Sequence, residues 1–135
     1  MYIDSSSHPL VRMGYERDKA QPITELLADF SALLDRGQAF VFVSEGDMAQ
    51  EERSPEDRKQ VVLWMKAHRP ALQGLVRALV HAEPDAHKRE QAAEFARMFG
   101  KAWGYPLLLV ASPQEARQRA LELLETDGDG ARETP

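Results

Sequence analysis

The sequence predicts a single α/β domain: a mixed sheet that opens with an antiparallel hairpin, continues as alternating helices and parallel strands in the order ββαβαβαβα, and has its helices packed on the sheet. Three observations carry this reading. Short apolar runs of strand length recur at residues 39–43, 75–80 and 107–111. Stretches with apolar residues at helical spacing separate them. Strands joined through helices run parallel by the right-handed crossover rule.

Residues 10–16 alternate, with Val11, Met13 and Tyr15 on one face and Arg12, Gly14 and Glu16 on the other, as a half-buried strand does. Tyr2 and Ile3 pair with it, and Ser5-Ser6-Ser7-His8-Pro9 makes the hairpin turn. The first helix has Pro22 at its opening, a stripe of Ile23, Leu26, Leu27, Phe30, Leu33 and Leu34, and Gly37 where a left-handed cap is wanted. Ala39-Phe40-Val41-Phe42-Val43 is continuously apolar, the pattern of a strand covered on both faces.

Ser54 caps the second helix, with Pro55 at its first position and Glu56 and Asp57 set against the helix dipole. Val61, Met65, His68 and Leu72 share one face, and the helix stops near Arg69 or kinks at Pro70. Residues 75–82 fit a buried strand and also a helical stripe; Gly74 and Pro84 bound a piece of strand length and favour the strand. Asp85 caps a third helix with inner face Ala92, Phe95, Ala96, Phe99 and Trp103, ended by Gly104. After the strand at 107–111, Ser112 and Glu115 form a capping box for a last helix bearing Ala116, Ala120, Leu123 and Leu124. Residues 126–135 carry almost no apolar side chain and read as a disordered acidic tail, which leaves a domain of residues 1–125.

Composition excludes several function classes. The 135 residues contain no cysteine, so disulfide scaffolds, thiolate metal sites and cysteine nucleophiles are out. With 17 Lys and Arg against 22 Asp and Glu, the net charge of −5 argues against nucleic acid as partner. The first residues lack the basic and apolar regions of a secretion signal, which makes a cytoplasmic address the expectation. The longest apolar run, residues 106–111, is far short of the roughly 20 that a membrane helix needs.

The element order resembles the STAS domain, the fold of anti-sigma factor antagonists. The resemblance spans nearly the whole ordered chain and is carried by Phe40-Val41-Phe42-Val43 leading through a loop into a capped helix, and by the closing Leu107-Leu108-Leu109-Val110-Ala111-Ser112-Pro113-Gln114-Glu115-Ala116. It implies a small regulatory or docking module. Members that act as phosphorylatable switches carry an Asp-Ser-Ser/Gly-Gly-like segment at the start of the second helix. Here that start reads Arg53-Ser54-Pro55-Glu56, which keeps a serine without the preceding Asp or the small residues, and leaves Ser54 as a candidate phosphosite.

Ligands of open α/β sheets bind at the carboxyl ends of the parallel strands. Those ends bring Ser44, Glu45, His81, Glu83 and Ser112 to one edge, with Asp85 behind. His81, Glu83, Asp85 and His87 are the densest set of metal-ligand types, but Pro84 and the change from strand to helix send them different ways, so no metal and no cofactor is expected. His68 reads as a half-buried spacer with one satisfied nitrogen, and Trp64 as partly buried in the core rather than part of a partner surface. Ser5, Ser6 and Ser7 beside Asp4 and His8 read as a turn, because the chain has no Gly-x-Ser-x-Gly elbow; Gly-rich phosphate loops are also missing.

The segment from Glu45 to Asp57 is longer than most strand-to-helix connections and holds Glu45, Asp47, Glu51, Glu52, Glu56 and Asp57 against Arg53 alone. It reads either as a functional loop or as a solvated acidic one. The function expected first is therefore a non-catalytic cytoplasmic regulatory or interaction module that offers Ser44, Glu45, Asp47, Glu51, Glu52, His81, Glu83 and Ser112 to a protein partner. The alternative is a small enzyme or small-ligand binder with a pocket at the strand ends, for which a closed pocket and a perturbed His81 would speak. A homo-oligomeric structural subunit is a third reading.

Overall fold

The computed structural model describes residues 1–48 and 53–133, with side chains through residue 125. Hairpin strands β1 (Tyr2–Asp4) and β2 (Leu10–Gly14) pair antiparallel, with Tyr2 opposite Gly14. Then come α1 (Ile23–Asp35), β3 (Phe40–Glu45), α2 (Pro55–Leu75), β4 (Val76–Ala82), α3 (Ala86–Trp103), β5 (Leu107–Val110) and α4 (Pro113–Glu133). The sheet runs β1-β2-β3-β4-β5 in chain order, and β2 to β5 are mutually parallel. The expected α/β mixed sheet with its N-terminal hairpin is thus the fold observed.

Each parallel strand is added on the same side of the last, so right-handed crossovers put α1, α2 and α3 on one face of the sheet. Strand alternation divides the core to match. Val11, Met13, Tyr15, Phe40, Phe42 and Leu79 pack with α1 to α3, while Leu10, Val41, Ala78 and Val80 pack with Ala116 and Ala120 of α4. Phe40, Phe42, Val41 and Val80 of the central strands are at most 1% exposed, each contributing roughly 1.5–3 kcal/mol of burial. β5 is an edge strand, and its Leu108, Leu109 and Val110 are only half-buried.

The helix ends follow the side chains that bound them. Asp57 N–H donates to Ser54 Oγ at 3.1 Å, and both His87 and Lys88 N–H donate to Asp85 Oδ1 at 2.9 and 3.2 Å. Glu115 N–H donates to Ser112 Oγ at 3.1 Å, and the Glu115 carboxylate reaches back to Ala111 N–H at 3.0 Å. Gly104 ends α3 with φ +87°, a left-handed conformation that a side chain would strain.

Three expectations are corrected. α2 does not stop near Arg69; it continues past Pro70 to Leu75, with Met65 and Leu72 buried in the core on either side of the proline. α3 buries no residue fully, and Phe95 of its expected inner face is 52% exposed; of that stripe, Ala96, Phe99 and Trp103 pack against the core. Gly14 is buried beneath the Tyr2 ring rather than lying on a solvated face. The backbone of α4 is helical through Glu133. Among the described residues, no helix is long and apolar enough to cross a membrane.

The paired caps give a direct test. Asp85→Ala removes the acceptor of two α3 amides and is expected to lower unfolding free energy by about 1 kcal/mol in urea titrations, with an unchanged m-value.

Candidate functional site

Parallel pairing sets Met13 beside Ser44 and Ser44 beside His81, so the carboxyl ends of β2, β3 and β4 lie in one row. Alternation turns Ser44, His81 and Tyr15, one residue beyond β2, toward the face of α1 to α3. All three are buried, at 5%, 3% and 4% exposure. The Tyr15 hydroxyl donates to Ser44 Oγ at 3.3 Å, and Ser44 Oγ lies 2.8 Å from His81 Nδ1. A hydroxyl has one proton to give; if Ser44 accepts from Tyr15 it donates to Nδ1, and the assignment that satisfies the chain is a neutral imidazole protonated at Nε2.

The electrostatics agree with that assignment. Burial holds the His81 imidazole below its ordinary value of 6.5, and the opposing pulls of Glu83, a hydrogen bond with the Gly46 backbone, and Glu45 do not overcome it. Tyr105, beneath α3, has its phenol pushed well above the usual range by burial and by the neighbouring Tyr15.

Tyr15 also forms part of the wall of a half-open cavity of about 410 Å³ between the sheet and the three helices. Leu79 from β4, Phe30 from α1, Val61 from α2, and Phe99 and Tyr105 complete its apolar lining. α3 touches the core mainly through its second half, where Phe99 stacks on Trp103 and meets Tyr105 edge-on at 5.5 Å. Val62 and Phe95, both substantially exposed, stand at its rim. Trp64 extends the wall, donating from Nε1 to Ser31 Oγ at 3.0 Å and stacking on His68, whose Nδ1 is 2.8 Å from the Trp64 carbonyl. These are the partly buried tryptophan and half-satisfied histidine that their positions predict.

Of the residues expected at the strand-end edge, the structure joins only Ser44 and His81. Glu45 points to the opposite face and pairs with Arg12 at 3.6 Å, beside a more polar cleft of about 350 Å³ that Arg117 also lines. Asp47 is exposed. Glu51 and Glu52 lie outside the described residues. Glu83 accepts from Asp85 N–H at 3.1 Å, and Ser112 serves as a helix cap. Ser54 is exposed, its oxygen engaged in capping α2. Among the described residues, no group of three or more His, Asp or Glu is arranged to hold a metal ion. The sequence sets Tyr15 on one strand face with Val11 and Met13 and singles out neither it nor Tyr105 as a site residue. That alternation is the signal for Tyr15.

No protein-family model, curated protein or solved structure matches the chain. Function is therefore argued from the site itself.

Two measurements probe the polar chain. Ser44→Ala leaves buried partners on both sides and is expected to lower stability by about 1–3 kcal/mol in chemical denaturation. Because His81 is harder to protonate when folded, the unfolded chain takes up its proton first as pH falls. Its contribution is complete above 6.5 and is lost as pH drops from there through the lower folded value. Thermal midpoints should decline from neutrality toward about pH 5, and His81→Gln should flatten that decline. His8, shifted the same way by burial and by Arg36, adds to the decline in the same direction.

Proposed function

We propose that the chain is a non-catalytic binding module for a small, largely apolar molecule held between the sheet and α1 to α3. The observation that carries this is the cavity, whose volume falls in the range of ligand pockets and whose wall is apolar apart from a few polar groups. Tyr15 would present such a ligand with the end of a polar chain that includes a perturbed histidine, the combination that marks binding sites. Binding is favoured over catalysis because Ser44 Oγ is enclosed between Tyr15 and His81 and is not presented to the cavity as a nucleophile. A regulatory role of the STAS kind in the cytoplasm rests on element order, and a protein partner at the acidic segment rests on its charge.

The test uses a neutral apolar fluorophore, N-phenylnaphthylamine. The protein should give a saturable fluorescence gain, and Val61→Trp, which fills the cavity from α2, should abolish it while the thermal midpoint is retained. Leu121→Trp, on the exposed surface of α4, should leave the gain intact. Absence of a saturable gain with the unsubstituted protein would sink the proposal.

A further inference from the structure

Tyr105 stands between the end of α3 and the start of β5, is only 4% exposed, and lines the cavity. Its ring packs against Phe42, Phe99 and Trp103 at centroid distances of 6.3, 5.5 and 6.3 Å, side chains that hold no acceptor atom. Among the described residues its hydroxyl makes no hydrogen bond. Buried polar groups are nearly always paired, so this one calls for a partner. The oxygen is not sealed inside the protein either, since it does not belong to the described side-chain atoms that are both shut off from solvent and unpartnered. The space left to it is the cavity that its residue lines. Burial and the neighbouring Tyr15 keep the phenol protonated, so it has a hydrogen to give. The Tyr15 proton, by contrast, goes to Ser44.

The group that answers such a phenol must accept a proton without bringing a charge or a proton of its own. A carboxylate would lose its hydration beside these rings. An alcohol would add a second donor next to side chains that cannot accept it. A carbonyl oxygen avoids both costs. Resting on the cavity reading above, we propose that the ligand is an uncharged carbonyl compound, a ketone or ester on an apolar body, whose carbonyl oxygen accepts a hydrogen bond from the Tyr105 hydroxyl while the body fills the apolar cavity.

Benzophenone and 1,1-diphenylethylene share a shape and differ in whether the central carbon carries an oxygen or a methylene. Each is titrated as a competitor of N-phenylnaphthylamine. Tyr105→Phe should raise the benzophenone concentration needed for half-displacement about two- to tenfold, the worth of one neutral hydrogen bond, and leave that of 1,1-diphenylethylene unchanged. The infrared carbonyl stretch of bound benzophenone gives a readout that needs no variant. In the unsubstituted protein it should lie below the value in hexane, and Tyr105→Phe should return it toward that value. A stretch as high as in hexane in the unsubstituted protein, or a lowered one that Tyr105→Phe leaves in place, overturns the carbonyl assignment. So does an equal response of the two competitors to Tyr105→Phe, or displacement by neither while the probe binds. Failure of the probe itself to bind overturns the cavity reading instead.

Discussion

The strand order is the constraint from which the rest of this molecule follows. Parallel strands added one after another in the same direction, each through a right-handed crossover, leave α1, α2 and α3 no choice of face. The opposite face goes to α4 alone. A doubly wound sheet reverses direction once and opens a crevice at its strand ends; a sheet that never reverses has no such crevice. Open space on that face then depends on how three helices share one surface. The cavity there is bounded in part by α3, which packs on the core through Ala96, Phe99 and Trp103 and leaves Phe95 exposed.

Between cavity and strand ends lies a short polar chain whose members support one another. Ser44 is the centre: it takes a hydrogen bond from Tyr15 and offers one to His81, so neither neighbour is left unsatisfied in a low-dielectric interior. The arrangement costs little because every group in it is neutral. It also ties three adjacent strands at the point where the sheet meets the helices' entry loops.

Much of the fold was legible because local chemistry and long-range packing agree. The apolar run at Phe40 to Val43, the caps at Ser54, Asp85 and Ser112, and the left-handed Gly104 each act over a few residues, and each appears where its spacing places it. Ser44 and His81 were legible as neighbours because parallel pairing brings strand ends together. Pro70 misled, since the cost of a missing amide is visible in sequence and the compensating burial of Leu72 is not. Phe95 misled for the converse reason: periodicity marks the apolar face of a helix but not whether anything lies beneath it. The cavity is a property of that vacancy, and vacancies are not encoded in the pattern of any one segment.

α2 passes into β4 at Leu75 and Val76 with no intervening loop. The same continuous stretch of backbone therefore carries Val61 and Trp64 at the cavity wall and His81 in the polar chain. A helix followed by a loop can tilt and let the loop absorb the change, whereas this one is a lever fixed to its strand. A tilt of α2 would therefore reach Val76 directly, through backbone with no loop to absorb it.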